Sequence, residues 1–363
     1  MTIEALMYIF LGLVALIAGG ELLVRGAVDL ANLVKIPPLV IGLTVVAFGT
    51  SSPELAVSIR SVISGNTGIS VGNILGSNIY NILLVLGVAA LLTPLKACNQ
   101  LIRFDVPIMI LASAMTLLLS LDGVLTRMDG AGLFLSLCGY TVWQFKKGKK
   151  EQPAQKPGSN GDARKEGKPA AWIPLRSLIV ILLGFGLLSV GSSGLLIGGV
   201  AIATALGISE LIIGLTIVAI GTSLPEIVTS IISIRSGHLD MAVGNVIGSN
   251  LFNLLGVLGL TGMVAPHGIA IPKSALEFDM LVMLAVAVAC LPIFFTGKQI
   301  SRWEGGLFLF YFFVYTAFLI LDGLGSQHLR TLAWVMSVFV VPITVLTLMV
   351  ATYKGIRTKP TRK

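Results

Sequence analysis

Apolar stretches of about twenty residues recur along the whole chain, centred near residues 15, 51, 80, 112, 136, 187, 223, 252, 285, 312 and 342. A helix rises ~1.5 Å per residue, so each stretch can cross a ~30 Å hydrocarbon layer, and the pattern predicts eleven membrane-spanning helices. The runs are continuous rather than alternating over ~10 residues, which excludes a transmembrane β-barrel. The expected fold is therefore an all-α polytopic membrane protein. Composition agrees, with 55% hydrophobic and 12% charged residues against roughly 25% charged in soluble domains.

The polar residues that interrupt these runs repeat. Residues 36–87 align without a gap to residues 208–259 at a constant offset of 172, and 29 of the 52 positions are identical. Gly49-Thr50-Ser51-Ser52-Pro53-Glu54 returns as Gly221-Thr222-Ser223-Leu224-Pro225-Glu226, and Gly72-Asn73 through Gly76-Ser77-Asn78 and Asn81 returns as Gly244-Asn245 through Gly248-Ser249-Asn250 and Asn253. Each copy falls in a half of five spans, about 3–145 and 173–321. Five is odd, so the second half enters the membrane in the opposite sense, which is the inverted repeat of a transporter. The expected organisation is repeat 1 over residues 1–145, a basic linker over 146–172, repeat 2 over 173–321, and an additional helix with a basic tail over 322–363. Weaker matches extend the repeat: Phe104-Asp105 to Phe278-Asp279 at an offset of 174, and Arg127 and Gly130 to Arg302 and Gly305 at 175. Asp105, Asp279, Asp122 and Asp322 lie near span ends and are expected to be interfacial charges.

The formal charge of +8 does not indicate nucleic acid, because its distribution follows the membrane. Eight Lys and Arg lie in 146–168 and five in 354–363. The positive-inside rule places both segments in the cytoplasm, and the six spans between them require the same side. The N-terminus is then outside, and the expected location is a multi-pass plasma (inner) membrane. Arg25, the first basic residue, follows the first apolar run, so that run is expected to insert the chain rather than to act as a cleaved signal. Cys98, Cys138 and Cys290 have neither disulfide-framework nor zinc spacing and are expected to be small core residues.

Glu54 and Glu226 occupy equivalent depths near the middle of their spans, and ionisable groups at that depth are expensive unless they serve a pathway or a site. Each follows a proline, which lacks a backbone donor and collides with the carbonyl four residues earlier, so both helices should break there. Carbonyls near Ala47, Phe48, Ala219 and Ile220 are then expected to point inward. Thr50, Ser51, Thr222 and Ser223 add hydroxyls, and Asn81, Asn253, Ser77 and Ser249 add further oxygens from the following spans. Gly72, Gly76, Gly244 and Gly248 should allow close helix approach. A donor set made only of oxygen suits a hard cation such as Ca²⁺. Two carboxylates ~5 Å apart repel by roughly 3 kcal/mol at an effective dielectric of 20, so the pair should change faces only when neutralised by one divalent or two monovalent cations. That is the logic of exchange rather than leak.

At these residues the chain resembles the calcium/cation antiporter superfamily, specifically the prokaryotic sodium/calcium exchangers, over residues 3–321. The resemblance implies ten spans, ion sites between spans 2, 3, 7 and 8, and sliding of spans 1 and 6 across them. It implies ion ligands at Glu54, Glu226, Thr50, Ser51, Thr222, Ser223, Ser77, Ser249 and Asn81, with the carbonyls of Ala47 and Ala219, and it favours Na⁺ as counter-ion. Two features depart from it. Asn253 stands where many of these exchangers carry aspartate, and the eleventh span has no counterpart. No intramembrane nucleophile with a base, aspartate pair or zinc-binding histidine pattern is present, so an enzyme is not expected. A proton-coupled calcium exchanger is the strongest rival. No cofactor is expected beyond the transported Ca²⁺ and Na⁺; the bilayer is the other partner, and a monomer is plausible.

Overall fold

The computed structural model describes residues 3–151, 173–207, 217 and 219–357. Its first half comprises α1 (Ile3–Val34), a bent pair α2 (Pro38–Thr50) and α3 (Ser52–Ile63), α4 (Thr67–Leu92), α5 (Leu101–Leu119) and α6 (Arg127–Glu151). The second comprises α7 (Ile173–Ala205), the short α8 (Ala219–Thr222), α9 (Leu224–Arg235), α10 (Leu239–Val264), α11 (Ala275–Lys298) and α12 (Arg302–Gly323). α13 follows over His328–Val350. Among the described residues eight helices are long and apolar enough to cross a membrane, or nine if the bent pair is one span. Of the eleven expected, the one centred near 136 is the helix α6, whose Lys-rich end dilutes its apolar character. The one near 223 lies partly outside the described residues.

Proline breaks the second helix as expected. α2 and α3 meet at a 43° bend at Ser51, two residues before Pro53. Ser51 (φ −86°, ψ 7°) and Ser223 (φ −89°, ψ 5°) adopt the same non-helical conformation, so the two copies fold alike where their sequences agree. π-helical turns interrupt α4 at Asn81–Leu86 and α10 at Phe252–Val257, at the repeated asparagines; such turns are frequent at functional sites.

The halves are interlocked rather than adjacent. α1 and α7 run antiparallel, and a methyl on Gly12, Gly19 or Gly26 would fall 2.7–3.2 Å from backbone atoms of Gly191, Leu188 or Ser177. Glycine recurs every seven residues on both helices, Gly12, Gly19 and Gly26 against Gly184, Gly191 and Gly198, the period of a close helix seam. Gly130 of α6 meets Gly259 of α10, and Gly305 of α12 meets Gly87 of α4; these are equivalent contacts, each crossing between halves. Two short antiparallel ribbons do the same: β1 (Leu95–Lys96) pairs with β4 (Gln299–Ile300), and β2 (Val124–Leu125) with β3 (Ile269–Ala270). The first turns of α6 and α12 carry matching caps, Thr126 with Asp129 and Ser301 with Glu304, each satisfying otherwise unpaired backbone donors.

Asp105 departs from the expectation of an interfacial charge. It is fully buried, and its Oδ1 accepts hydrogen bonds from Tyr140 (3.0 Å) and from Gln144. Asp279 accepts one from Tyr315 at 2.8 Å. Because Tyr140 and Tyr315 are themselves offset by 175 residues, the Asp–Tyr pair belongs to the repeat, and it ties each half's fourth span to its fifth. Removing a donor to a buried group costs about 1–3 kcal/mol. Tyr140→Phe is therefore expected to lower the thermal unfolding midpoint in detergent while leaving transport per folded molecule intact; an unchanged midpoint would contradict this role. Glu21 and Arg25 form an exposed pair at 3.4 Å one turn apart on α1, which fits a helix-surface contact. Cys290 is buried, but Cys138 is exposed, contrary to its expected place in the core.

Candidate functional site

Glu54 and Glu226 enter the first turns of α3 and α9 immediately after their prolines. Both side chains are 0% exposed, and they lie near enough for their charges to repel. Neither oxygen of Glu54, nor Oε2 of Glu226, has a hydrogen-bond partner among the described residues. A buried carboxylate with unbonded oxygens is costly unless a cation or proton neutralises it. This pair is the centre of the site.

The surrounding donors come from both halves. Thr50 Oγ1 lies 3.2 Å from both Asn245 Oδ1 and Ser249 Oγ, and Ser51 donates to Glu226 Oε1 at 3.3 Å. The end of α2, the start of α9 and the middle of α10 thus converge. They can do so because the glycines of α10 admit α2: a methyl on Gly244 would lie 2.8 Å from the Leu39 carbonyl, and one on Gly248 would lie 2.6 Å from the Leu43 carbonyl. A methyl on Gly42 of α2 would likewise lie 2.7 Å from the Met241 carbonyl. Gly72 and Gly76 meet nothing within 4 Å among the described residues; the positions equivalent to Leu39 and Leu43 are 211 and 215, outside the described residues.

The two repeated serines differ in their partners. Ser223 Oγ has no hydrogen-bond partner among the described residues, whereas its counterpart Ser51 bonds the opposite carboxylate. Thr222 is half-buried while Thr50 is fully buried. Asn81 and Asn253 are buried on their π-helical turns with both amide atoms unbonded among the described residues. Ser77 and Ser249 are buried as well. Ala47 is buried, with its carbonyl accepting from the Ser51 backbone at 3.0 Å and the Thr50 hydroxyl at 3.4 Å. Ala219 opens α8.

The carbonyls around the breaks differ from expectation. Phe48 O accepts from Ser52 Oγ at 2.7 Å, and Ile220 O accepts from the Ser223 backbone at 3.1 Å. Gly221 O, four residues before Pro225, is the carbonyl that the ring displaces, and Ser192 of α7 donates to it at 2.6 Å. The equivalent Gly49 is instead covered by the ring of Phe185, whose atoms occupy the place a methyl would take.

Sequence reading passed over the asparagines that fasten the site. Asn73 Nδ2 donates to the Glu54 carbonyl at 3.1 Å and to Ser58 Oγ at 2.9 Å, and Asn245 Nδ2 donates to Ser230 Oγ at 3.4 Å. All four residues are identities of the repeat, Ser58 and Ser230 lying one turn beyond the glutamates. The signal was present in the same motif; only the packing of α3 on α4, and of α9 on α10, assigns it.

The chain as a whole is similar to known proteins. A model of the sodium/calcium exchanger protein family matches residues 4–146 and 176–321. The CaxA protein of Alkalimonas amylolytica is 40% identical over 318 residues, covering 86% of this chain and 97% of that protein. The sodium/calcium exchanger MaX1 of Methanosarcina acetivorans is 32% identical over 347 residues, covering 86% and 96%. A solved structure of the sodium-calcium exchanger NCX_Mj superposes with a TM-score of 0.73 at 30% identity, covering 87% of this chain and 99% of that one. With the repeated acids, the helix breaks and the interlocked halves, these matches show that this multi-pass membrane chain belongs to the sodium/calcium exchanger protein family.

Proposed function

We propose that this protein is a secondary active antiporter that exchanges Ca²⁺ for Na⁺ by alternating access at a midplane oxygen site. Glu54 and Glu226 supply its charge. Thr50, Ser51, Thr222, Ser223, Ser77, Ser249, Asn81 and Asn253 supply neutral oxygens, with the carbonyls of Ala47 and Ala219. The observation that carries this reading is the pair of fully buried carboxylates with three of four oxygens unbonded among the described residues. Only a bound cation or proton removes that cost, and a site neutral when loaded and doubly negative when bare couples movement to occupancy. The relative MaX1 is a sodium/calcium exchanger, and NCX_Mj has been solved after soaking with Na⁺ and Ca²⁺, which supports the same two ions here.

Ten spans followed by an eleventh are the topology we infer. Paired ribbons must share a membrane face, so β1 lies with β4 and β2 with β3. One crossing, α5, separates β1 from β2. Four separate β2 from β3: α6, α7, the broken segment ending in α9, and α10, and an even number returns the chain to the same face. By this parity the basic linker and the C-terminal tail share the face of β1, which the positive-inside rule makes cytoplasmic, and the N-terminus is outside.

Calcium uptake into vesicles under an imposed Na⁺ gradient or an imposed H⁺ gradient tests the reading. Uptake driven by Na⁺ and absent from Glu54→Gln vesicles is expected. Uptake driven by the proton gradient alone would instead establish the second reading, a proton-coupled calcium exchanger, which the uncharged amide at position 253 favours. Asn253→Asp adds a third negative charge and is expected to alter Na⁺ dependence more than Ca²⁺ dependence; equal shifts in the two half-saturating concentrations would count against Asn253 as part of the Na⁺ site.

A further inference from the structure

We infer that α13 clamps one acyl chain of a membrane phospholipid against the second half of the protein. The helix lies outside the family match, which ends at residue 321, and packs on α11 and α12 with a cavity of about 410 Å³ left between them. The cavity walls run from Phe278 to Ile293 on α11 and from Ala333 to Leu348 on α13. At 1.5 Å per residue each wall is ~22 Å long. That length lets an extended hydrocarbon chain lie between the walls.

The chemistry of the walls selects hydrocarbon. Four hydroxyls line the channel, those of Tyr311, Tyr315, Ser337 and Thr344, and each is already engaged. Tyr311 bonds Thr344 at 2.7 Å, Tyr315 donates to Asp279 at 2.8 Å, and Ser337 donates to the Trp334 carbonyl at 3.2 Å. A resident water needs two to four polar partners, which these walls do not offer, and a polar ligand would forfeit its hydration without replacement. The rim is apolar too: the lining residues Val341 and Val345 are each 44% exposed, so the cavity opens on the apolar outer face of the helices, where acyl chains would lie. The cavity also touches Leu83 of α4, two residues beyond Asn81.

Native mass spectrometry of the full-length protein, purified in mild detergent, is expected to find one retained phospholipid. Ala289→Phe on α11 and Ser337→Phe on α13 fill the channel from opposite walls, and each is expected to lose that lipid while eluting as a monodisperse species. A phospholipid bearing a diazirine at the end of one acyl chain is expected to label inward positions within 282–293 and 333–348 of the unmodified protein, which keeps the test open if either variant fails to fold. No retained phospholipid, retention of a free fatty acid instead, unchanged retention in folded variants, or label confined to outward residues such as Leu281 would each overturn the assignment.

Discussion

Replacing either buried glutamate by glutamine is expected to abolish exchange without unfolding the protein. Glutamine matches glutamate in shape, and with three of the four carboxylate oxygens unbonded among the described residues the substitution breaks few existing contacts. What it removes is charge. A unit charge pair 4 Å apart at an effective dielectric of 20 is worth ~4 kcal/mol, which corresponds to about a thousand-fold in affinity. Glu54→Gln and Glu226→Gln should therefore each lower calcium exchange in vesicles at least a hundred-fold, with unfolding midpoints equal to or above that of the unmodified protein, since repulsion between the acids is relieved. A variant that keeps wild-type exchange would remove the carboxylate pair from the mechanism. Loss of both folding and exchange would instead assign these residues to structure.

The second large effect concerns the seam between α1 and α7. A Cβ on Gly19 would lie 2.7 Å from the Leu188 amide nitrogen, and one on Gly184 would lie 2.7 Å from that of Leu23. The obstruction is backbone in both cases and cannot be relieved by a rotamer change. Overpacking of a close interface costs typically 1–3 kcal/mol, against a total stability of roughly 5–15 kcal/mol. Gly19→Leu with Gly184→Leu is expected to leave no folded protein, measured as the yield of monodisperse material, and either single change is expected to lower the unfolding midpoint. Gly186→Leu is the control: it lies on the same helix, exposed and with nothing within 4 Å among the described residues, and should be tolerated. If all three variants behave alike, the seam does not hold the halves together.

These expectations draw on different depths of information. The membrane class, the duplicated motifs and the helix breaks at Pro53 and Pro225 were legible because hydropathy and proline act locally, through solvent transfer and a missing backbone donor. The glutamates stood out for the same reason, since a charge in an apolar run is a local anomaly. Asn73, Asn245, Ser58 and Ser230 did not stand out: their roles depend on which helix lies beside them. Asp105 was misplaced because sequence position reports depth along a span but not whether a neighbouring tyrosine and glutamine enclose it.

The repeat also hid an inequality. Thr50 and Ser51 bond residues of the opposite half, while Ser223, identical in type and local conformation to Ser51, has no hydrogen-bond partner among the described residues. Identical segments carry identical local preferences, so no reading of either copy could say which of the two serines bonds the opposite half.

By itself the sequence determined that this chain inserts into a membrane, that its halves oppose one another, and that two acids recur at equivalent positions of the repeat, because each of these follows from hydrophobicity, parity and spacing along one helix. Only the tertiary structure decided that each half packs through glycines on the other, that Thr50 and Ser51 bond across to Asn245, Ser249 and Glu226, and that α13 leaves an apolar cavity beside α11. Those outcomes rest on contacts between residues more than a hundred positions apart or on different helices, where the free energy comes from shape and hydrogen-bond partners that no local pattern encodes.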